Sequence, residues 1–333
     1  MMRLLSNLKF RDESGGVVVL VALFMVILLG LAGVAIDGGR LYFEKSKLQK
    51  ALDAAVLAGA HKLVLIDQNE SKKQAKIVAK DISQENGYEL SDADIKDKDV
   101  VHKSHIRVEK TVTVPLTFAK VIGINTASVS ASAKAKIAGP LISARGIAPI
   151  AIEKSAVPTK AILTCGEEEN EEEEKKSGKK SPGNCGFIRI DGNGAPIVEE
   201  GIKNGSKKKV SVGDEVHPEP GVMNGPIDKA VETAVDSIIN SDKDKPHCQS
   251  PSTADNSCKR VIYVALIETW AGVNGASDKV KILGFAPFWV KEYDNKGKNK
   301  NIVGQFIDGI TAGEVGEPSA GFNYGLYGVK LVE

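Results

Sequence analysis

Aromatic residues are scarce in this sequence, at 5%, and only two of them are tryptophan. Aromatic side chains dominate the energetics of bulky cores and interfaces. The interior implied here is instead built from small and aliphatic groups. A surplus of either charge is also missing: 44 Lys and Arg stand against 43 Asp and Glu, a formal net charge of +1. Nucleic-acid binders carry strongly basic domains, so the balance excludes that class. Cysteine is sparse, four residues in 333, with no C-x-x-C pair. A zinc ribbon and a thioredoxin-like redox motif are therefore excluded by spacing.

Catalytic signatures are missing as well. The chain contains no G-x-S-x-G, no H-E-x-x-H and no G-x-x-x-x-G-K-[ST]. Its five histidines, His61, His102, His105, His217 and His247, do not sit with a Ser or Cys and an acid in a local motif. His247 beside Cys248 lacks a second ligand pair at metal-site spacing. Asp191-Gly-Asn193-Gly begins like a calcium loop but departs from it at Ala195, and reads as a turn. Asp255-Asn-Ser257 lacks the second Ser of a von Willebrand-type metal site. The run from Glu167 to Glu174 faces Lys175, Lys176, Lys179 and Lys180, and reads as a solvated, self-neutralising loop. The expectation is a protein without catalytic residues, metal ligands or cofactor.

What the chain does have is one long apolar run. Residues 17–36, VVVLVALFMVILLGLAGVAI, carry no charged side chain. At ~1.5 Å per residue they make ~30 Å, the hydrocarbon thickness of a bilayer. The competing readings are a buried core helix and a cleaved signal peptide. A signal's apolar region is usually shorter, ~7–15 residues, and an uncleaved transmembrane anchor is preferred. Arg3, Lys9 and Arg11 precede the run, and Arg40, Lys45, Lys47 and Lys50 follow it, so the positive-inside count is nearly tied. The cysteines break the tie. Cys165 and Cys185 bracket one polar segment, and Cys248 and Cys258 bracket another. Sequential pairing is one of three connectivities and would contribute about 3 kcal/mol per loop in the chain-entropy model. Disulfides belong to oxidising compartments. This places the N-terminus inside the cytoplasmic membrane and the C-terminal bulk outside.

The expected fold class is α+β. The expected segments are a short cytoplasmic piece (1–16), a transmembrane helix (17–36), a helix with a small α+β module (37–140), and a β-rich extracytoplasmic domain (141–333). Gly38 and Gly39 are read as a loosened exit from the span. An amphipathic helix follows from about Leu41, with Leu41, Leu48, Leu52, Ala55 and Gly59 near one face. Gln49, Asp53, Ala54, Ala55, Ala58, Gly59 and Ala60 on it are dense in small residues, which allow close approach of another helix. The approaching helix belongs either to a partner or to the chain's own domain. A second helix is expected over 72–86, with Gly87 as its C-terminal cap. Strict alternation in TASVSASAKAKI marks a half-buried strand. Gly139–Gly146 reads as a connector. Beyond it, strands are expected at 147–152 (an edge strand, because of Pro149), 161–164, 187–190, 210–212, 260–267, 280–290, 302–307 and 324–332. A single helix, from Pro226 to Ile239, interrupts them.

Residues 13–60, 48 of the 333, resemble the N-terminal module of TadG-like proteins of the tight-adherence (Flp) pilus system. The resemblance rests on Gly15 and Gly16, the apolar span, and the exit motif Asp37-Gly38-Gly-Arg40-Leu-Tyr42. It continues through Leu48-Gln49 and Asp53-Ala-Ala-x-Leu-Ala-Gly-Ala60. It implies a membrane-anchored structural or assembly component of the pilus or of related secretion machinery, acting by protein–protein contacts. The implied partners are other assembly proteins, the membrane and further copies of the chain. Type IV pilins carry a Glu five residues after the processing Gly. Here Leu20 and Val21 stand at those positions, so pilin-type processing is not implied. The alternatives are a membrane-tethered cell-surface binding module and, less favoured, a tethered extracytoplasmic hydrolase.

Overall fold

The computed structural model describes residues 14–157, 162–164, 186–219, 225–273, 277–294, 301–316 and 324–332. They form two compact units. One holds the described residues through Leu52 together with Glu109–Ser132; the other holds Asp53–Val108 and the described residues from Ala133 onward.

The described residues begin with one uninterrupted helix, α1 (Ser14–Ala60). From Val17 to Ile36 its apolar side chains are exposed around the whole circumference. That is the surface a bilayer would solvate, since a helix satisfies its own backbone polar groups within lipid. Gly38 and Gly39 lie within the helix and do not loosen it. A helical glycine costs ~1 kcal/mol relative to Ala, a penalty that the long helical flanks on both sides absorb. After Asp37 burial becomes one-sided, at Leu48, Ala51, Leu52, Ala55, Val56 and Ala60.

Helix α2 (Gln68–Glu85) is set by its caps. The Asp67 carboxylate accepts the Glu70 amide at 2.7 Å, an N-cap at its preferred residue type. At the other end Gly87 has φ +91°. The Gly87 amide donates to Gln84 O and the Tyr88 amide to Ser83 O, both at 2.9 Å, which completes a Schellman motif.

Two strands follow, β1 (Val100–Val101) and β2 (His105–Pro115), then a 3-10 turn (Ala119–Ile122) and β3 (Thr126–Ala144). The alternating segment is strand as expected, with Val129, Ala131, Ala133 and Ala135 buried. The connector expected from Gly139 is also strand, as far as Ala144. Pro140 is tolerated because it lies opposite Tyr327 beside a register irregularity, where a missing N–H is least costly.

Downstream lie β4 (Ile147–Glu153), β5 (Ile162–Thr164), α3 (Ala195–Asn204), β6 (Val210–Ser211), β7 (Glu215–Val216), α4 (Pro226–Ser241) and β8 (Val261–Ile267). The chain continues through β9 (Val280–Lys281), β10 (Gly284–Asp294), β11 (Asn301–Phe306), β12 (Gly309–Ile310), β13 (Gly313–Val315) and β14 (Leu326–Leu331). The single helix expected here is corrected to two among the described residues, α3 and α4. Helix α3 was not legible because its ten residues bury only Val198, Gly201 and Ile202.

Among the described residues, one sheet has the order β1-β2-β3-β14-β12, with β6 and β13 also pairing to β3. A second has the order β4-β8-β10-β11-β5, and β7 pairs with β9. Strand β4 is at an edge, as Pro149 requires, and runs parallel to β8. Helices α3 and α4 cover one face of the second sheet: Ile202, Val231 and Val235 pack with Val264, Leu266 and Phe288. Ala265, Ile267 and Phe285 point into a separate cluster with Leu141 and Ile147. Burial on both faces explains the near-continuous apolar run of β8. The structure is thus α+β: a long N-terminal helix, a second helix and sheet, and a β-rich remainder carrying two helices.

Candidate functional site

The exit motif forms a pinned joint. Asp37 is 5% exposed, and its carboxylate accepts three backbone amides: Thr117 at 2.8 Å, Phe118 at 3.0 Å and Ala119 at 2.8 Å. Those amides, Thr117 foremost, hold the Asp37 carboxyl below its usual range against the opposing effect of burial, with a smaller contribution from Arg40. Arg40 Nη1 also reaches Thr117 Oγ1 at 3.5 Å. One turn earlier, Gly33 leaves the space that Phe118 fills. A Cβ at Gly33 would stand 2.7 Å from the Phe118 Cβ. Gly38 has open space around it and Tyr42 is 77% exposed. The motif therefore divides: Asp37 and Arg40 hold the turn, whereas Gly38 and Tyr42 face outward.

Further along α1, Gln49 Nε2 donates to Ser132 O at 2.8 Å. The small-residue segment also divides. A Cβ at Gly59 would come 2.8 Å from Ala75 O, 3.0 Å from Ile106 Cδ1 and 3.3 Å from Ala79 Cβ. The chain's own α2 therefore uses this close approach. Ala55 and Ala60 are fully buried. Asp53, Ala54 and Ala58 are half-buried, and of the small residues on this segment only Ala54 and Ala58 retain accessible surface.

The end of α1 meets a disulfide loop. Cys248 is bonded to Cys258, one of the two sequential pairings considered from sequence; Cys165 and Cys185 lie outside the described residues, as does the Glu/Lys run. Lys62 pairs with Asp255 inside the loop. His61 Nδ1 lies 3.2 Å from Asn256 Nδ2. Burial raises the Asp255 carboxyl, but hydrogen bonds from Lys62 and Ser257 outweigh it and hold the group below its ordinary value. Burial pushes His61 down. Trp289 Nε1 donates to Cys248 O at 2.9 Å, and the Arg260 guanidinium stacks 5.2 Å from the Trp289 ring.

His247, Ser257 and Asp255 are neighbours, but not in the order of a catalytic triad. Ser257 Oγ donates to Asp255 Oδ1 at 2.6 Å, so its proton is directed at the acid rather than at His247, 3.0 Å away. In a nucleophile–base pair the imidazole stands between the two. His247, Cys248 and Cys258 also cluster within 4.8 Å, but the disulfide engages both sulfurs and leaves no thiolate to bind a metal. Elsewhere, Asp191 accepts the Lys207 and Lys208 amides at 2.7 and 3.0 Å, which ties the Asp-Gly-Asn-Gly segment to the loop after α3. His217 Nδ1 contacts Asp278 O at 3.0 Å.

The sequence flagged Asp37 but not its partners, because Thr117–Ala119 lie 80 to 82 positions away. One local signal was available, the dense apolar set in FAKVIGI. Residues 15–62 match the family model described as "Putative Flp pilus-assembly TadE/G-like". This is the TadG-like N-terminal module that the sequence resembles, and it covers α1 from Gly15 onward and the two residues after the helix, to Lys62. No curated protein and no solved structure matches the chain.

Proposed function

We propose that the protein is a single-pass, membrane-anchored structural component of a tight-adherence (Flp) type pilus or of related secretion machinery, acting through protein–protein contacts rather than catalysis. The observation that carries this reading is the coincidence of the matched segment, 15–62, with the one helix among the described residues that is apolar around its circumference and then buried on one side. Its N-terminus lies on the inner side of the cytoplasmic membrane and its C-terminal bulk outside. The Cys248–Cys258 disulfide supports that orientation, since such bonds persist in oxidising compartments. Accessible small residues on α1, Ala54 and Ala58, offer a surface for partners or for a second copy.

Photocrosslinking from position 58 in cells, together with deletion of the chain, tests the reading. We expect adducts with pilus or secretion components and loss or alteration of piliation. Absence of such adducts together with unchanged piliation would overturn it.

A further inference from the structure

The turn held by Asp37 is strongly apolar and open. Phe118, Val121, Ile122 and Ile124 are 40%, 88%, 76% and 51% exposed. Four large apolar groups within seven residues form a patch of the kind that marks an interaction surface rather than ordinary surface chemistry. The turn is also firmly built. Asp37 accepts three of its amides, Leu116 N donates to Asn125 O at 2.9 Å across its base, and Gly123 closes the 3-10 turn at φ +90°.

Position along α1 identifies the occupant. Gly33, against which Phe118 packs, belongs to the last turn of the 17–36 apolar run, and Asp37 is the first residue beyond it. The turn is thereby fixed to the end of the span, whose last residues include Val34 and Ile36, 73% and 52% exposed. We propose that the Phe118–Ile124 turn is a second membrane-inserting element. Its apolar side chains enter the interfacial zone of the bilayer that α1 crosses, and Lys120, exposed on the same turn, meets the lipid headgroups. Apolar faces of interfacial elements sink ~5–10 Å into the headgroup–acyl boundary, a depth within reach of side chains anchored at Gly33–Asp37. The occupant is lipid because the patch continues the surface of the span. This proposal rests on residues 17–36 being a membrane anchor.

The test uses the full chain reconstituted in phosphatidylethanolamine/phosphatidylglycerol vesicles. A benzophenone amino acid is placed at Ile122, with Val121 as a second site, and at Leu28 within the span. We expect lipid adducts at Ile122 or Val121 as well as at Leu28, because an interfacial element places its apolar side chains at the headgroup–acyl boundary. Lipid adducts at Leu28 alone overturn the inserted turn but leave the anchor intact. Adducts from the turn to protein in place of lipid assign it to an assembly contact and also overturn the proposal. No lipid adduct at any site removes the anchor, and the proposal with it.

Discussion

Lys62 and Asp255 form an ion pair across 193 positions of sequence, joining the last residue of the family-matched segment to the disulfide loop. The Asp255 side chain is 6% exposed and that of Lys62 21%. Removing one partner of a buried pair leaves an uncompensated charge and costs more than the pair itself contributes. Lys62→Met should lower stability by roughly 2–3 kcal/mol, a figure reduced for the partial exposure of Lys62. Lys62→Met with Asp255→Asn should recover part of that loss. Thermal unfolding of the detergent-solubilised chain measures both, and additive losses in the double variant would show that the two residues are not coupled.

Acid should destabilise the protein in two stages. His61, His102 and His105 are all lowered chiefly by burial. Below their unfolded-state value near 6.5, the unfolded chain takes up protons that the native chain refuses, and stability falls with pH. Asp255 and Asp242 are held below the ordinary carboxyl value near 3.8. Their contribution is complete above that value and is lost as pH falls through the lower folded values. Denaturant midpoints across pH 3–8 should trace a shallow then a steep decline, and His61→Gln should flatten the first.

Reduction of Cys248–Cys258 should loosen a loop of sequence separation 10. In the chain-entropy model the loss is about 2–3 kcal/mol. Cys248→Ser with Cys258→Ser should lower the melting temperature to the value of the reduced protein, and reductant should then leave the Cys248–Cys258 region unaffected. The Lys62–Asp255 pair should weaken with it, because Asp255 lies inside the loop.

Stability and assembly should separate on α1. Gly59→Leu drives a side chain into Ala75 O and Ile106. Overpacking of this kind costs about 1–3 kcal/mol. Ala54→Leu, at a half-buried position, should leave the melting temperature close to that of the parent while reducing crosslinks to partners from position 58. Circular dichroism and the crosslinking assay read the two effects independently.

Asp37→Ala should free three amides. Hydrogen exchange at Thr117, Phe118 and Ala119 should accelerate by roughly tenfold or more, as local opening becomes easier. Unchanged protection would mean that the turn is held by Phe118 against Gly33 alone.

Periodic elements were legible because one physical rule set each of them. Apolar length marked the span, alternation marked β3, and an apolar stripe after Pro226 marked α4. Gly87 was identifiable as a cap because a positive φ favours Gly there. What escaped the sequence depends on distant partners. Gly38 and Gly39 look like a break until the flanking helix outweighs them, and Gly139-Pro140 looks like a connector until β14 pairs alongside. Strand β4 joins β8 in parallel, a pairing no local pattern encodes. The small-residue face of α1 fits an internal or an external helix equally well, and only the position of α2 shows that Gly59 is used internally. Likewise, the exit motif was visible as a motif, whereas its role as an amide acceptor depends on a turn some eighty residues away.

With residues 17–36 as the membrane anchor, Asp37 and the three amides on it would act as a depth stop. A helix of uniform apolar surface can slide along the membrane normal at little cost, because one leucine replaces another in the hydrocarbon. Sliding inward would carry the Asp37 carboxylate and the Lys120 ammonium past the headgroups into hydrocarbon; sliding outward would lift Val34 and Ile36 into water. A chain anchored through residues 17–36 would therefore have a single preferred height.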